Sequence, residues 1–284
     1  MAEMSHALAD IVERIHTIPS LPEITTQVVR LAGEEQTTIP QLAAIMIKDA
    51  GMAAKILRMA NSAAFALPQP VANLESALSL LGFKTIRAIA LSVSVISLFQ
   101  QQATGFNMRQ FWFHNAVAAG LCREIAKRSR IWDPESAFSI GLLKDLGKVI
   151  LVENMPDAVR SIILLAADKR LSFSAAAQQV IGTDDGDVAA WLCTHWGLDA
   201  ALIDTIRYQH DLTHAANPKL AAMCMLADYL CSLRKIRISG SFNEMTLDPQ
   251  VWVHLGMDKN SLTQVIASMQ REIDLAQQLL QMAG

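Results

Sequence analysis

Apolar residues recur at intervals of three and four along almost the whole chain, as in Ile24, Val28 and Leu31, then Leu42, Ile45 and Met46, then Ile56, Leu57 and Ala60. That spacing lines one face of an α-helix, whereas a half-buried strand alternates every second residue. No stretch alternates in that way. The expected fold is therefore all-α, with each apolar stripe buried against another helix.

Punctuation divides the pattern. Thr38 with Gln41 has the spacing of a capping box, and Asp133-Pro134-Glu135 and Asp248-Pro249 place a carboxylate before a proline at a helix start. Gly33, Gly82, Gly105, Gly182, Gly197 and Gly256 close or separate the segments. About a dozen helices follow, too short to stand alone. The polar stretch QQATGFNM, residues 101–108, suggests a division into two helical lobes, 1–105 and 106–284. A second loop is expected from Ile238 to Asp248, and a last helix from about Ser261 to Met282, with Leu262, Ile266, Met269, Ile273 and Leu280 toward the body.

With 284 residues, 52% of them hydrophobic, the chain can build a substantial core. Cys122, Cys193, Cys224 and Cys231 form no CxxC pair, so they read as core thiols of a reducing cytoplasm rather than a disulfide or zinc framework. Charges at Glu3, Asp10, Glu13 and Arg14 interrupt any signal-peptide apolar region. The run from Ala88 to Phe99 falls short of the ~20 residues of a membrane span and reads as a buried helix. The net charge is -3, and Lys127, Arg128 and Arg130, like Arg234, Lys235 and Arg237, read as solvated helix ends. No strong nucleic-acid binding and no membrane association are expected.

The first half, from LPEITTQVVRLAGEEQTTIPQLAAIMIKDAGMAAKILRMANSAAF to ESALSLLGFKTIRAIAL, resembles the HD-related output domain (HDOD), a helical signalling module. Ala60-Asn61-Ser62-Ala63 and Leu81-Gly82 carry the likeness, and Ala50 stands where the family commonly has proline. The second half resembles the same family and, more distantly, the HD phosphohydrolase superfamily, whose histidines and aspartates surround one or two metals. By that resemblance His114 in FWFHNAVAA takes the first histidine's role, and Asp145 in GLLKDLGK takes the aspartate's. Lys144 stands where the defining histidine would be. Asp185 replaces a further histidine, Gln209 and His210 stand where relatives have paired histidines, and Asp228 is the late aspartate. No Gly-Tyr-Pro follows His210, so the likeness to cyclic-dinucleotide phosphodiesterases is weak.

A protonated lysine has three donors and no lone pair to give a metal. At ~4 Å from a dication and an effective dielectric of ~20, its charge adds roughly 8 kcal/mol of bare repulsion. The Lys144 ammonium is accordingly expected to stand in the metal's place and to pair with carboxylates of other helices, Asp228 first. Neighbouring helical positions point about 100° apart, so Asp145 need not be its direct partner.

The other candidates have plainer readings. His114, beside Phe111, Trp112 and Phe113, reads as a buried hydrogen-bonding residue as readily as a surviving ligand. Lys148 matches a position that points toward phosphate in active relatives, and reads otherwise as a solvated lysine at the pocket rim. His210 and His214 have the i, i+4 spacing of a metal pair, but Asp211 and Asn217-Pro218 mark a helix end. Cys193 and His195 face different sides of a helix, and Asn61 and Ser62 read as turn-capping groups.

The resemblance implies a bacterial regulatory role, and with Lys144 in the metal's place and the cysteines read as core thiols the expectation is a cytoplasmic module without catalysis, cofactor or metal. It would act through a signalling partner or a small anionic or nucleotide ligand in the region of His114, Lys144, Lys148 and His210. The rival is a weak metal-dependent phosphohydrolase using His114, Asp145, His210 and Asp228.

Overall fold

The computed structural model describes residues 5–15, 18–62, 69–99, 106–238 and 246–283, and every regular element among them is an α-helix. The first half contains α1 (His6–Arg14), α2 (Glu23–Leu31), α3 (Ile39–Met46), α4 (Ala50–Ala60) and α5 (Leu74–Leu98). After it come α6 (Met108–Ser129), α7 (Pro134–Leu143), α8 (Leu146–Asn154), α9 (Pro156–Lys169), α10 (Phe173–Ile181) and α11 (Asp185–His195). The last elements are α12 (Ala200–Arg207), α13 (Pro218–Leu233), α14 (Gln250–Leu255) and α15 (Lys259–Ala283).

Most of the helices start where the sequence offers oxygen acceptors, although α2, α8, α9 and α12 have no side-chain cap. At α3 the Gln41 amide nitrogen of the backbone donates to Thr38 Oγ1 at 3.4 Å, and Thr38 N donates to Gln41 Oε1 at 2.9 Å, completing the capping box. Asp133 accepts from Ser136 N at 2.9 Å at the head of α7, and Asp248 from Gln250 N at 2.8 Å at the head of α14. Asp49 caps α4, which places Ala50 in the first helical position, a position that tolerates proline and alanine alike. Gly82 breaks the helical path of α5 with φ of 79°, a left-handed conformation that favours glycine.

One contiguous apolar core runs from Leu8 to Leu279 and takes residues from both halves of the chain. Residues 88–96 of α5 are buried throughout. By length and composition α5 can cross a membrane, but 56% of its apolar window is covered by the rest of the protein. Polar ties join the halves: Trp196 Nε1 donates to Pro19 O at 2.7 Å, and Arg87 pairs with Asp199 at 2.6 Å; within the first half the Thr25 and Ser94 hydroxyls lie 2.6 Å apart. Residues 100–105, with Gly105 and most of the expected boundary, lie outside the described residues, as do residues 239–245 of the second expected loop.

The terminal helix docks on α5 and α6 through much of the expected face, with Met269 buried and Ile273 and Leu280 packed on the core. Val265, Met269, Glu272, Ala276 and Leu279 are buried, while Ile266 is 43% exposed. Glu272, a carboxylate in the middle of the buried stripe, is held there by Arg123 and Arg271.

Candidate functional site

The predicted site residues come together from α6, the α7–α8 turn, α8, α11, the segment after α12, and α13. α7 stops at Leu143, and α8 starts at Leu146, so Lys144 and Asp145 lie in the turn between them. Lys144 N still donates to Ile140 O at 3.0 Å, and Lys148 N donates to Asp145 O at 3.0 Å, which holds the turn tight. Gln209, fully buried, donates from Nε2 to Lys144 O at 2.7 Å. Gly147 lets α8 meet the start of α11: a Cβ there would overlap the Asp185 carbonyl oxygen and come within 2.9 Å of Ala189 N.

Lys144 is 1% exposed. Its Nζ lies 2.9 Å from Asp228 Oδ1 on α13 and donates to Asp145 Oδ2 as well. The pairing with Asp228 is the expected one. The direct pairing with Asp145 corrects the expectation drawn from helical geometry, because a turn lets two neighbouring side chains enter the same space.

Lys148 is also a correction. It is buried rather than solvated, ion-paired with Asp145 Oδ1 and with Asp185 Oδ2 at 2.7 Å, and lies 5.6 Å from the centre of the Phe173 ring. Ser174 Oγ donates to the other Asp185 oxygen at 2.5 Å. Nothing in the sequence marked Ser174, since its partner lies on the next helix. His114 is buried, with Nε2 at 3.2 Å from Asp228 Oδ1 and Nδ1 at 3.1 Å from Ile236 O, as a hydrogen-bonding histidine would be. His210 is exposed at the edge of the group.

Burial by itself favours the neutral form of every charge here. The carboxylates are nonetheless held below their ordinary range: burial raises Asp228, but Lys144 and the His114 hydrogen bond outweigh it and bring it to about 2. Asp145 is lowered by Lys144 and Lys148, and Asp185 by Lys148, each against its own burial. Burial would lower the two lysines, yet Asp145 with Asp228 raises Lys144 and Asp145 with Asp185 raises Lys148. All five groups are thus charged near neutral pH.

His114, Asp145 and Asp228 are the group of metal-type donors gathered among the described residues, with one atom of each within 4.8 Å of the others. The Lys144 ammonium contacts two of the three. As folded, the set does not fit a divalent cation, because the cation would have to share that space with a fixed positive charge. The two lysines are likewise matched by carboxylates, so neither is an open anion receptor.

The remaining candidates separate. His214 is exposed and pairs with Asp211 at 2.6 Å. Cys193 is buried, its thiol pushed by burial up to about 12, while His195 is exposed. Asn61 does more than cap a turn: its amide donates to Val71 O at 2.8 Å and accepts from Val71 N at 2.7 Å, clamping the end of α4 to the approach of α5.

Residues 18–212 match the model of the HDOD domain. The chain belongs to the HDOD family. A Geobacter sulfurreducens HDOD domain protein of unknown function has the same fold, with a TM-score of 0.84 at 21% identity over 96% of this chain and 97% of that one. A Shewanella amazonensis SB2B protein with the provisional name phosphohydrolase gives 0.77 at 23% identity over 97% and 98% of the two chains. A Marinobacter aquaeolei VT8 protein, provisionally named for signal transduction, gives 0.76 at 20% identity over 99% of this chain and 62% of that one. An uncharacterized Treponema pallidum (strain Nichols) protein is 23% identical over 211 residues, 73% of this chain but only 40% of its own length. In this HDOD chain the motif positions Asn61 and Gly82 have structural duties, one as a clamp and the other as a kink.

Proposed function

We propose that this HDOD chain is a non-catalytic regulatory module that acts by binding a signalling protein or a small ligand, and that its HD-like centre is a tether between helices. The observation that carries the reading is the position of Lys144 Nζ, 2.9 Å from Asp228 and in contact with Asp145. Hydrolysis assisted by a metal needs open coordination positions and a bound water that the ion acidifies. Here an ammonium stands among the donors, with a second one on Asp145 and Asp185.

Replacing a metal by lysines keeps the neutralising charge and removes the Lewis acid. Three helices and a turn remain joined through Asp145, Asp185 and Asp228, which suits a rigid scaffold for recognition. The cytoplasm is the compartment that four buried free thiols suit.

The second reading, a weak phosphohydrolase, draws on the convergence of His114, Asp145 and Asp228. Metal analysis of the purified protein, followed by nucleotide and cyclic-dinucleotide turnover with manganese or nickel, separates the two. The regulatory reading expects no stoichiometric metal and no turnover. Metal-dependent hydrolysis that Asp145→Ala abolishes would replace it with the enzyme reading.

A further inference from the structure

A second set of buried charges lies where α15 crosses α6, away from the lysine cluster. Glu272 is 1% exposed and occupies the space that Gly120 leaves, since a Cβ there would overlap its carboxylate. Arg123 donates to Glu272 Oε2 at 2.9 Å and lies 5.2 Å from the centre of the Phe138 ring. Arg271 bonds both Glu272 Oε1 at 2.6 Å and buried Glu124 Oε1 at 2.7 Å. Arg128 reaches Glu124 Oε2 at 3.5 Å.

This network borders a cavity of about 330 Å³ between α4, α5, α6, α7 and α15, with Met59, Ile89, Phe138, Leu275 and Leu279 among its apolar walls. That volume is at the small end of the range for small-molecule sites, and an apolar interior with a few fixed polar groups is their usual make-up. Glu124 and Glu272 are already matched by Arg123, Arg128 and Arg271. Lys127 lines the same cavity from an exposed position and has no ion-pair partner among the described residues. The other lining carboxyl, Glu135, is pushed upward by burial, with Asp133 and Glu272 adding to the rise, against the pull of Arg123 and Lys127.

We propose that this cavity binds a small amphipathic carboxylate, with its hydrocarbon body against Met59, Ile89 and Leu275 and its head at Lys127 and Arg123. Lys127 is the lining cation that no carboxylate holds at ion-pair distance, although it and Arg123 both pull on Glu135, so the rim suits a monoanion at most, and a doubly charged phosphate would lack a second free cation. The inference is independent of the reading above, because no residue of the lysine cluster lines this cavity.

Calorimetric titration of the full chain with octanoate, and with octan-1-ol as the uncharged counterpart, tests it. Octanoate is expected to bind with one-to-one stoichiometry, octan-1-ol about tenfold more weakly, and Lys127→Glu is expected to weaken octanoate by about tenfold. Leu275→Trp, which fills the cavity, should abolish binding. If that variant does not fold, Lys127→Glu on the exposed rim decides. No octanoate binding to the folded protein up to about 5 mM, equal affinity for the alcohol, or unchanged affinity in Lys127→Glu would overturn the proposal and leave the network as a helix tether only.

Discussion

Lys144 Nζ and Asp228 Oδ1 lie 2.9 Å apart, joining the α7–α8 turn to α13 through a buried ion pair. Such a pair is a poor source of net stability when compared with an apolar contact, but removing one partner is costly because the other charge stays buried. Lys144→Ala leaves Asp228 with His114 and Asp145 with Lys148. The expected loss is about 3 kcal/mol, read as a lower urea midpoint with an unchanged slope. An unchanged midpoint would mean that the tether carries no load.

Stability should depend on pH asymmetrically. Asp145, Asp185 and Asp228 are held below their ordinary 3.8, so their contributions are complete above that value and drain away as pH falls through the folded values, about 2 for Asp228. Lys144 and Lys148 are raised above 10.5, so their contributions are complete below that value and are lost only at more alkaline pH. The share of these five groups in the urea midpoint should be flat from about pH 5 to 9 and fall steeply below about pH 4, on top of a decline as pH rises from about 4 to 6 from Asp184, which burial and Asp185 raise to about 6. In Lys144→Ala the acid fall should be shallower, since Asp145 and Asp228 lose the cation that depresses them. An identical acid limb in both proteins would place its origin elsewhere.

Much of this was readable from residues alone, and the failures have specific causes. Caps at Thr38, Asp133 and Asp248 were legible because an oxygen acceptor ahead of a periodic segment meets local backbone donors. The Lys144–Asp228 pairing followed from charge: an ammonium in a ring of aspartates needs a carboxylate. The Lys144–Asp145 pairing was missed because the apolar run 141–151 conceals a turn. Lys148 is named among the site residues, but its burial is not legible because it depends on α11 lying against α8, and the one local sign is Gly147. On α15 the expected face holds at Met269, Ile273 and Leu280 and fails at Ile266, and the buried Glu272 is not legible because its partner Arg123 comes from another helix.

Gly147→Ala should be among the most damaging single changes in the chain. In an open helix the added methyl would help slightly, by the propensity difference of about 1 kcal/mol. Here it would force α8 from α11 at the Asp185 carbonyl, separating Lys148 from Asp185. A loss of about 3 kcal/mol or more is expected from overpacking against backbone. Thermal unfolding checks it: a variant as stable as the parent would show that the two helices do not approach this closely.

Lys144 and Lys148 share Asp145, so their effects should not add. The cluster holds three carboxylates against two ammonium groups, and repulsion grows faster than linearly as each cation is removed. After Lys144→Ala, Asp145 still has Lys148; after Lys148→Met, it still has Lys144. With both gone, Asp145, Asp185 and Asp228 lose every lysine partner at once. The double variant should therefore lose more stability at neutral pH than the two single losses together, by about 1 kcal/mol or more, and the excess should shrink at acid pH as the carboxylates protonate. Urea unfolding of the four proteins at both pH values measures this coupling, and additivity to within about 0.3 kcal/mol would mean that the two ion pairs act separately.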